Sequence, residues 1–170
     1  SKRFIKKDFR NLKKNRKNFS RWFIKNVTPL IKINYEVTLV GNRMDLLKEE
    51  FSNNSNVKVL GRVEDLSPYY EDADVVVGPI FEGAGMKVKT AEALSYGKIF
   101  IGTDESLIGY KELAGNLLGK SIIVCNNEEE FAKAINNLDF GNGFCPENYD
   151  FFLRNYSIEA ATCKLKTLLE

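Results

Sequence analysis

The sequence predicts an α/β fold, a doubly wound parallel sheet in a three-layer α/β/α arrangement. Three observations carry this. Short β-branched runs alternate with helical patterns through most of the chain, as βα units do. Each run is compact and rich in apolar residues, as expected of strands covered on both faces. The 170 residues, 44% of them hydrophobic, suffice for one domain with a substantial core and are too few for two ordinary ones.

The elements follow in chain order. Residues 1 to 17 form a basic segment, set apart from a domain over 18 to 170. A doubly wound sheet requires a strand ahead of its first helix, but RFIKKDF, with Lys6 and Lys7, is a poor candidate. NFSRWFIKNVTPLI then places Phe19, Phe23, Val27 and Leu30 at helical spacing, and Pro29 kinks or ends that helix. Strands are expected at 35–41 (YEVTLVG), 57–61 (VKVLG), 73–79 (ADVVVGP), 98–103 (KIFIGT) and 121–125 (SIIVC). Helical patterns fill 43–51, 67–72, 86–96, 107–114 and 127–137. The Asn- and Gly-rich stretch 136–148 reads as a loop. A helix near 147–155 follows, then another opened by Ser157 as N-cap, with Glu159 at its positive end and Lys164 and Lys166 at the other.

Composition removes several chemistries. The chain has no histidine, so triads with a histidine base and imidazole metal ligands are absent. Cys125, Cys145 and Cys163 are odd in number and far apart, which argues for free thiols rather than a disulfide framework or a zinc site. No metal site is expected. No apolar run reaches the length of a membrane span and no secretory signal is visible, so a cytoplasmic chain is the simplest reading. The net charge of +2 conceals an asymmetry: residues 1–32 hold 12 of the 25 Lys and Arg with Asp8 as their one acid. Such a stretch can face phosphates, anionic lipid headgroups or nucleic acid, or can be a solvated helix face. The solvated face is the plainer reading, and no spacing of a nucleic-acid module accompanies it.

The informative stretch is FEGAGMKVKTAEALSYGKIF, residues 81–100, between the strands ending at Pro79 and beginning near Ile99. In a parallel sheet this connection lies at the ligand-binding edge. Gly83 and Gly85 let backbone amides approach an anion, and a helix starting near Met86 aims its free N–H groups and positive dipole at the same point, with Lys87 and Lys89 beside it. A diphosphate suits such a place. Glu92, about 9 Å along that helix, shares a face with Lys89, while Val88, Ala91 and Leu94 face the sheet. The two glycines alone fit an ordinary tight turn equally well, with Lys89 and Glu92 a weak surface pair. A dinucleotide fold is an alternative, with Asp104 as its ribose acid, but Val88 replaces the third glycine, the turn is long, and this is not the first βα unit.

The longer run VKVLGRVEDLSPYYEDADVVVGPIFEGAGMKVKTAEALSYGKIFIGTDESLIGY resembles the donor-binding half of GT-B glycosyltransferases of the family 4 type, and the resemblance extends over residues 18–170. It implies a Rossmann-like half of a GT-B fold. By matching position, Glu92 holds the nucleotide ribose, and Glu82 is the catalytic-motif glutamate that contacts donor-sugar hydroxyls. Nine residues separate the two where the common motif has seven. The resemblance further implies that Lys89, with Lys87, neutralises the diphosphate beside the backbone of Gly83, Ala84, Gly85 and Met86, and that the backbone of Gly61, Arg62 and Val63 meets the base. The implied activity is hexosyl transfer from a nucleotide-diphosphate sugar to a glycan or lipid-linked acceptor. It proceeds with retention and without metal or other cofactor, and its commonest setting is polysaccharide or glycolipid biosynthesis. Such enzymes have two halves, so the chain reads as a piece lacking its N-terminal acceptor-binding domain, able to bind donor and inefficient in transfer. Its basic segment makes a peripheral contact at the inner membrane face the further expectation. A non-catalytic nucleotide- or sugar-binding domain of the same fold stays open beside this reading.

Overall fold

The apolar runs pair side by side, all pointing one way, in a computed structural model that describes residues 1–7, 19–41 and 45–169. The strands are β1 (Lys2–Lys7), β2 (Tyr35–Val40), β3 (Val57–Leu60), β4 (Val75–Gly78), β5 (Ile99–Gly102) and β6 (Ile122–Val124). They form one parallel sheet in the order β3-β2-β1-β4-β5-β6. The helices are α1 (Phe19–Trp22), α2 (Asp45–Glu50), α3 (Ser67–Asp72), α4 (Val88–Ser95), α5 (Glu128–Asn137), α6 (Pro146–Tyr156) and α7 (Ile158–Leu169). α1 continues as a π-helical stretch over Phe23–Val27, and a 3₁₀ turn containing Pro29 ends it.

The pleat explains why the central strands β4 (VVVG) and β5 (IFIG) read as uninterrupted apolar runs. Successive side chains point to opposite faces, and both faces are covered. Phe4, Val75, Val77, Ile99 and Ile101 enter one core with Phe23 and Val27 behind α1 and Phe131 and Ile135 of α5. Ile5, Val76 and Phe100 enter the other, against Tyr70 of α3, Ala93 and Leu94 of α4 and Phe151 of α6. Polar groups caught at the sheet's N-terminal edge are paired. Asn148, fully buried on α6, donates to the carbonyls of Lys98 and Ser121 at 2.8 and 3.2 Å and accepts from the Ser121 hydroxyl at 2.7 Å. The buried Lys98 ammonium donates to the carbonyls of Glu71 and Gly143 at 3.1 and 2.7 Å.

Two expectations are corrected. Residues 2–7, assigned to a basic segment and rated poorly as a strand, form β1 at the centre of the sheet, between β2 and β4. Phe4 and Ile5, both buried, fill one place in each core, and the charges of the strand's start are spent at its margin. There the Lys2 ammonium lies 3.6 Å from Asp74 Oδ1 and 5.0 Å over the Phe140 ring, and the Arg3 guanidinium pairs with Asp72. Residues 8–17 lie outside the described residues. The helix expected over 107–114 is instead a 3₁₀ turn, Glu105–Leu107, followed by turns and a second 3₁₀ turn at Gly115–Leu117. Gly109, at φ +80°, breaks the helical path between them. The other helices and the five remaining strands fall within about two residues of expectation. Ser157 serves as the expected cap of α7, accepting from the Ala160 N–H at 3.1 Å.

Phe4→Ala should lower the unfolding free energy in urea by about 3–5 kcal/mol, the cost of emptying a large buried side chain, while Lys2→Ala should cost under about 1 kcal/mol. The thiols offer a second check. Burial, reinforced by the charge of Glu130, pushes the Cys125 thiol up to about 12. A thiol reagent at about pH 8 should therefore modify exposed Cys163 and spare Cys125 until the chain unfolds.

Candidate functional site

Strand order reverses between β1 and β4, because the chain runs outward from β1 through β2 to β3 and, on the other side, from β4 through β5 to β6. A doubly wound sheet opens its ligand crevice at that point, beyond the C-terminal strand ends. The loop leaving β4 there is 79–87, the glycine-containing stretch. Glu82, Gly83, Ala84, Gly85 and Met86 are all exposed on it. Gly83 and Gly85 adopt φ of +149° and +67°, values that side chains resist, so the backbone path itself requires glycine. Among the described residues, the N–H groups of Gly83, Ala84, Gly85 and Met86 take no partner within the chain.

α4 begins at Val88, two residues later than expected, with Lys87 as its extended N-cap residue. Glu92 is thus about 6 Å along the helix rather than 9. Val88 is 71% exposed and does not face the sheet; Thr90, Ala93 and Leu94 are the buried residues. Lys89 is half-buried on the same side as Glu92.

Lys87 is placed differently from Lys89. It is 8% exposed, and its ammonium donates to the Gly85 carbonyl at 2.6 Å and to Glu105 Oε1 at 2.8 Å. Two further bonds tie the start of α4 to the segment after β5: Thr90 Oγ1 donates to the Ser106 carbonyl at 2.7 Å, and the Tyr110 hydroxyl donates to the Lys87 carbonyl at 3.0 Å. The glycine loop is therefore braced from the neighbouring connection. On its other side Phe81, immediately before Glu82, meets the Trp22 ring edge-on at 4.8 Å and the Phe19 ring at 5.7 Å.

Gly61, Arg62 and Val63 follow β3 on the same edge of the sheet, with the Gly61 carbonyl accepting from the Gly41 N–H at 3.3 Å. They lead directly into α3, whose Tyr70 hydroxyl donates to Glu92 Oε2 at 3.2 Å. Tyr70 and Glu105 are functional neighbours that local sequence pattern does not point to. The YY pair of the lead-in held the only signal for Tyr70, since a buried tyrosine hydroxyl needs a partner; nothing local marked Glu105. Asp104, the acid of the dinucleotide alternative, pairs with Lys111 and accepts from Asn126 Nδ2 at 2.7 Å. Those contacts, the lysine's first, hold its carboxyl below the usual range.

A groove of about 800 Å³ lies elsewhere, beside β6, α5 and the loop before α6, and contains none of the glycine-loop residues. Its Lys120 and Lys133 lie among Glu130, Asp139 and Glu147, so its charges are mixed in sign. Among the described residues no three acidic or cysteine side chains gather to hold a metal ion, and no helix is long and apolar enough to cross a membrane.

A six-stranded parallel sheet with helices on both faces and this glycine loop at its switch point defines a Rossmann-like domain of the GT-B glycosyltransferase kind. The chain belongs to the family of glycosyl transferases group 1, whose model matches residues 9–138. Its fold superposes on a glycosyltransferase from Rickettsia africae with a TM-score of 0.75 at 15% identity, covering 98% of this chain and 46% of the other. It superposes likewise on the pneumococcal O-GlcNAc transferase GtfA in complex with UDP and GlcNAc (TM-score 0.64, 18% identity, 97% and 35% covered) and on Anabaena HepE in complex with UDP-glucose (0.68, 15%, 98% and 48%). In sequence it is 28% identical over 127 residues to an uncharacterized 44.6 kDa protein in the cps region of Klebsiella pneumoniae, covering 68% of this chain and 32% of that one. The chain thus spans between a third and a half of the proteins it matches.

Removing the brace should be measurable without any ligand. Glu105→Ala strands the Lys87 ammonium and should cost about 1–3 kcal/mol in chemical unfolding. The double variant Lys87→Met/Glu105→Ala should cost less than the sum of the single changes, giving a clear coupling energy.

Proposed function

We propose that the chain is the donor-binding half of a glycosyltransferase and holds a nucleoside diphosphate sugar over the 79–87 loop and α4. The observation that carries this is the convergence, at the sheet's switch point, of unpaired glycine-loop amides, the N-terminus of α4, Lys89 and Glu92. The diphosphate takes the amides and the helix end, where the dipole and free N–H groups favour an anion. Lys89 supplies the neutralising charge, and Lys87 acts by holding Gly85 in place. Glu92 accepts from the ribose hydroxyls, and the exposed backbone of Gly61 to Val63 meets the base. UDP is the first donor nucleotide to test, because solved structures of the same fold contain it.

In the reaction the bond from the anomeric carbon to the diphosphate oxygen breaks, and the acceptor oxygen takes its place while giving up its proton. Negative charge grows on the departing diphosphate, and a loop already fixed by Lys87 and Glu105 meets it with little reorganisation. This charge set needs no metal or other cofactor. Glu82 orients donor-sugar hydroxyls and is neither nucleophile nor base, in keeping with transfer that retains configuration. The glycan or lipid-linked acceptor is held by a second half, so the 170-residue chain binds donor without efficient transfer. The five Lys and Arg that the sequence carries over 10–17 provide a peripheral contact with anionic lipid.

Calorimetric titration with UDP, GDP, ADP and NAD tests the reading. A nucleoside diphosphate should bind and NAD should not. Glu92→Gln and Lys89→Met should each weaken that binding about tenfold or more, the loss of a charge-assisted contact. Binding that is unchanged in both variants places the nucleotide elsewhere.

A further inference from the structure

Tyr70 sits in the core between α3 and α4 at 1% exposure, a place that phenylalanine would fill equally well. Its hydroxyl instead donates to Glu92 Oε2 at 3.2 Å. The surroundings hold that hydroxyl still. The Tyr70 ring lies flat on Tyr96, with centroids 4.8 Å apart and planes 9° from parallel. The Tyr96 hydroxyl shares a hydrogen bond of 2.7 Å with Ser67 Oγ, one turn back from Tyr70 on α3. α3 thus grips α4 by a ring stack and two polar contacts, and Glu92 is where the second contact ends.

We infer that Tyr70 is a positioning residue for nucleotide binding: its hydroxyl fixes the Glu92 carboxylate in the orientation that accepts from a ribose diol. The inference rests on the donor-site reading above. A carboxylate accepts up to about four hydrogen bonds, so a fixed bond from Tyr70 is compatible with two more from a diol. A glutamate has three rotatable bonds, and leaving them unrestrained costs affinity when the ligand must order them. Burial, then the nearby Glu92 charge, raises the Tyr70 pKa well above its ordinary value, so the group stays a donor at any working pH. Because the chain passes from Gly61–Val63 straight into α3, the segment expected to meet the base also carries the residue that sets the ribose acid.

The test compares UDP with 2′,3′-dideoxy-UDP, which lacks the diol, by calorimetry on the 170-residue chain. Tyr70→Phe keeps the ring, the stack and the burial and removes one O–H. It should weaken UDP binding about fivefold, the share of one hydrogen bond, and leave dideoxy-UDP binding unchanged, so that preference for the diol shrinks. Glu92→Gln should abolish that preference. Equal losses for both nucleotides in Tyr70→Phe indicate a packing role alone and overturn the inference, as does full retention of the preference. If Glu92→Gln removes the preference while Tyr70→Phe keeps it, only the positioning role falls. If Glu92→Gln also keeps it, the donor-site reading falls and the positioning role with it.

Discussion

Two strand pairings, Phe4 with Val75 and Ile5 with Val76, join one three-stranded half of the sheet to the other. Around them the Asp74 N–H donates to the Arg3 carbonyl at 2.8 Å, and the Arg3 N–H donates to Asp74 Oδ2 at 2.7 Å. This short seam makes the architecture doubly wound. β1, β2 and β3 spread to one side and β4, β5 and β6 to the other, with α1, α2 and α5 over one face and α3, α4 and α6 over the opposite one. The seam's C-terminal end is where sheets of this topology open a ligand crevice, before any side chain is considered. The chemistry of the site is what the loop after β4 adds to a position the sheet has already made.

The loop is useful only if its shape persists, and its sequence alone does not ensure that. Glycines at positive φ lower the cost of the turn but also leave it many alternatives in the unfolded chain. Lys87 answers this from inside, with Gly85 on one side and Glu105 on the other, and Thr90 and Tyr110 fasten the helix that follows. The two lysines of the motif differ in depth: the buried Lys87 shapes the backbone, and Lys89 is half-buried. The Tyr70 contact does for Glu92 what Glu105 does for Lys87, through a hydroxyl supplied by a helix from the preceding βα unit.

How much of this the sequence shows depends on the range of the interaction. The strands at 35–40, 57–60, 75–78, 99–102 and 122–124 are visible because each is a compact, apolar-rich run in a sheet with helices on both faces. The glycine loop, Lys89 and Glu92 are visible because their spacing is local to one connection. β1 is hidden because two alternating core residues among lysines and an arginine carry little local signal, and only its neighbours β2 and β4 explain the strand. The missing helix at 107–114 turns on the backbone angle of Gly109, which composition does not reveal. The burial of Lys87 depends on a residue 18 positions away, and the Tyr70 bond to Glu92 spans 22. Nothing in either local pattern marks such pairings.

The contact between Trp22 and Phe81 has a practical side. Trp22 is the chain's single tryptophan, and its ring edge rests on the residue directly before Glu82. The protein thus carries one indole fluorophore stationed at the root of its glycine loop, on α1. Rearrangement of that loop should therefore alter the chain's own emission, with no dye attached and no second tryptophan to dilute the signal.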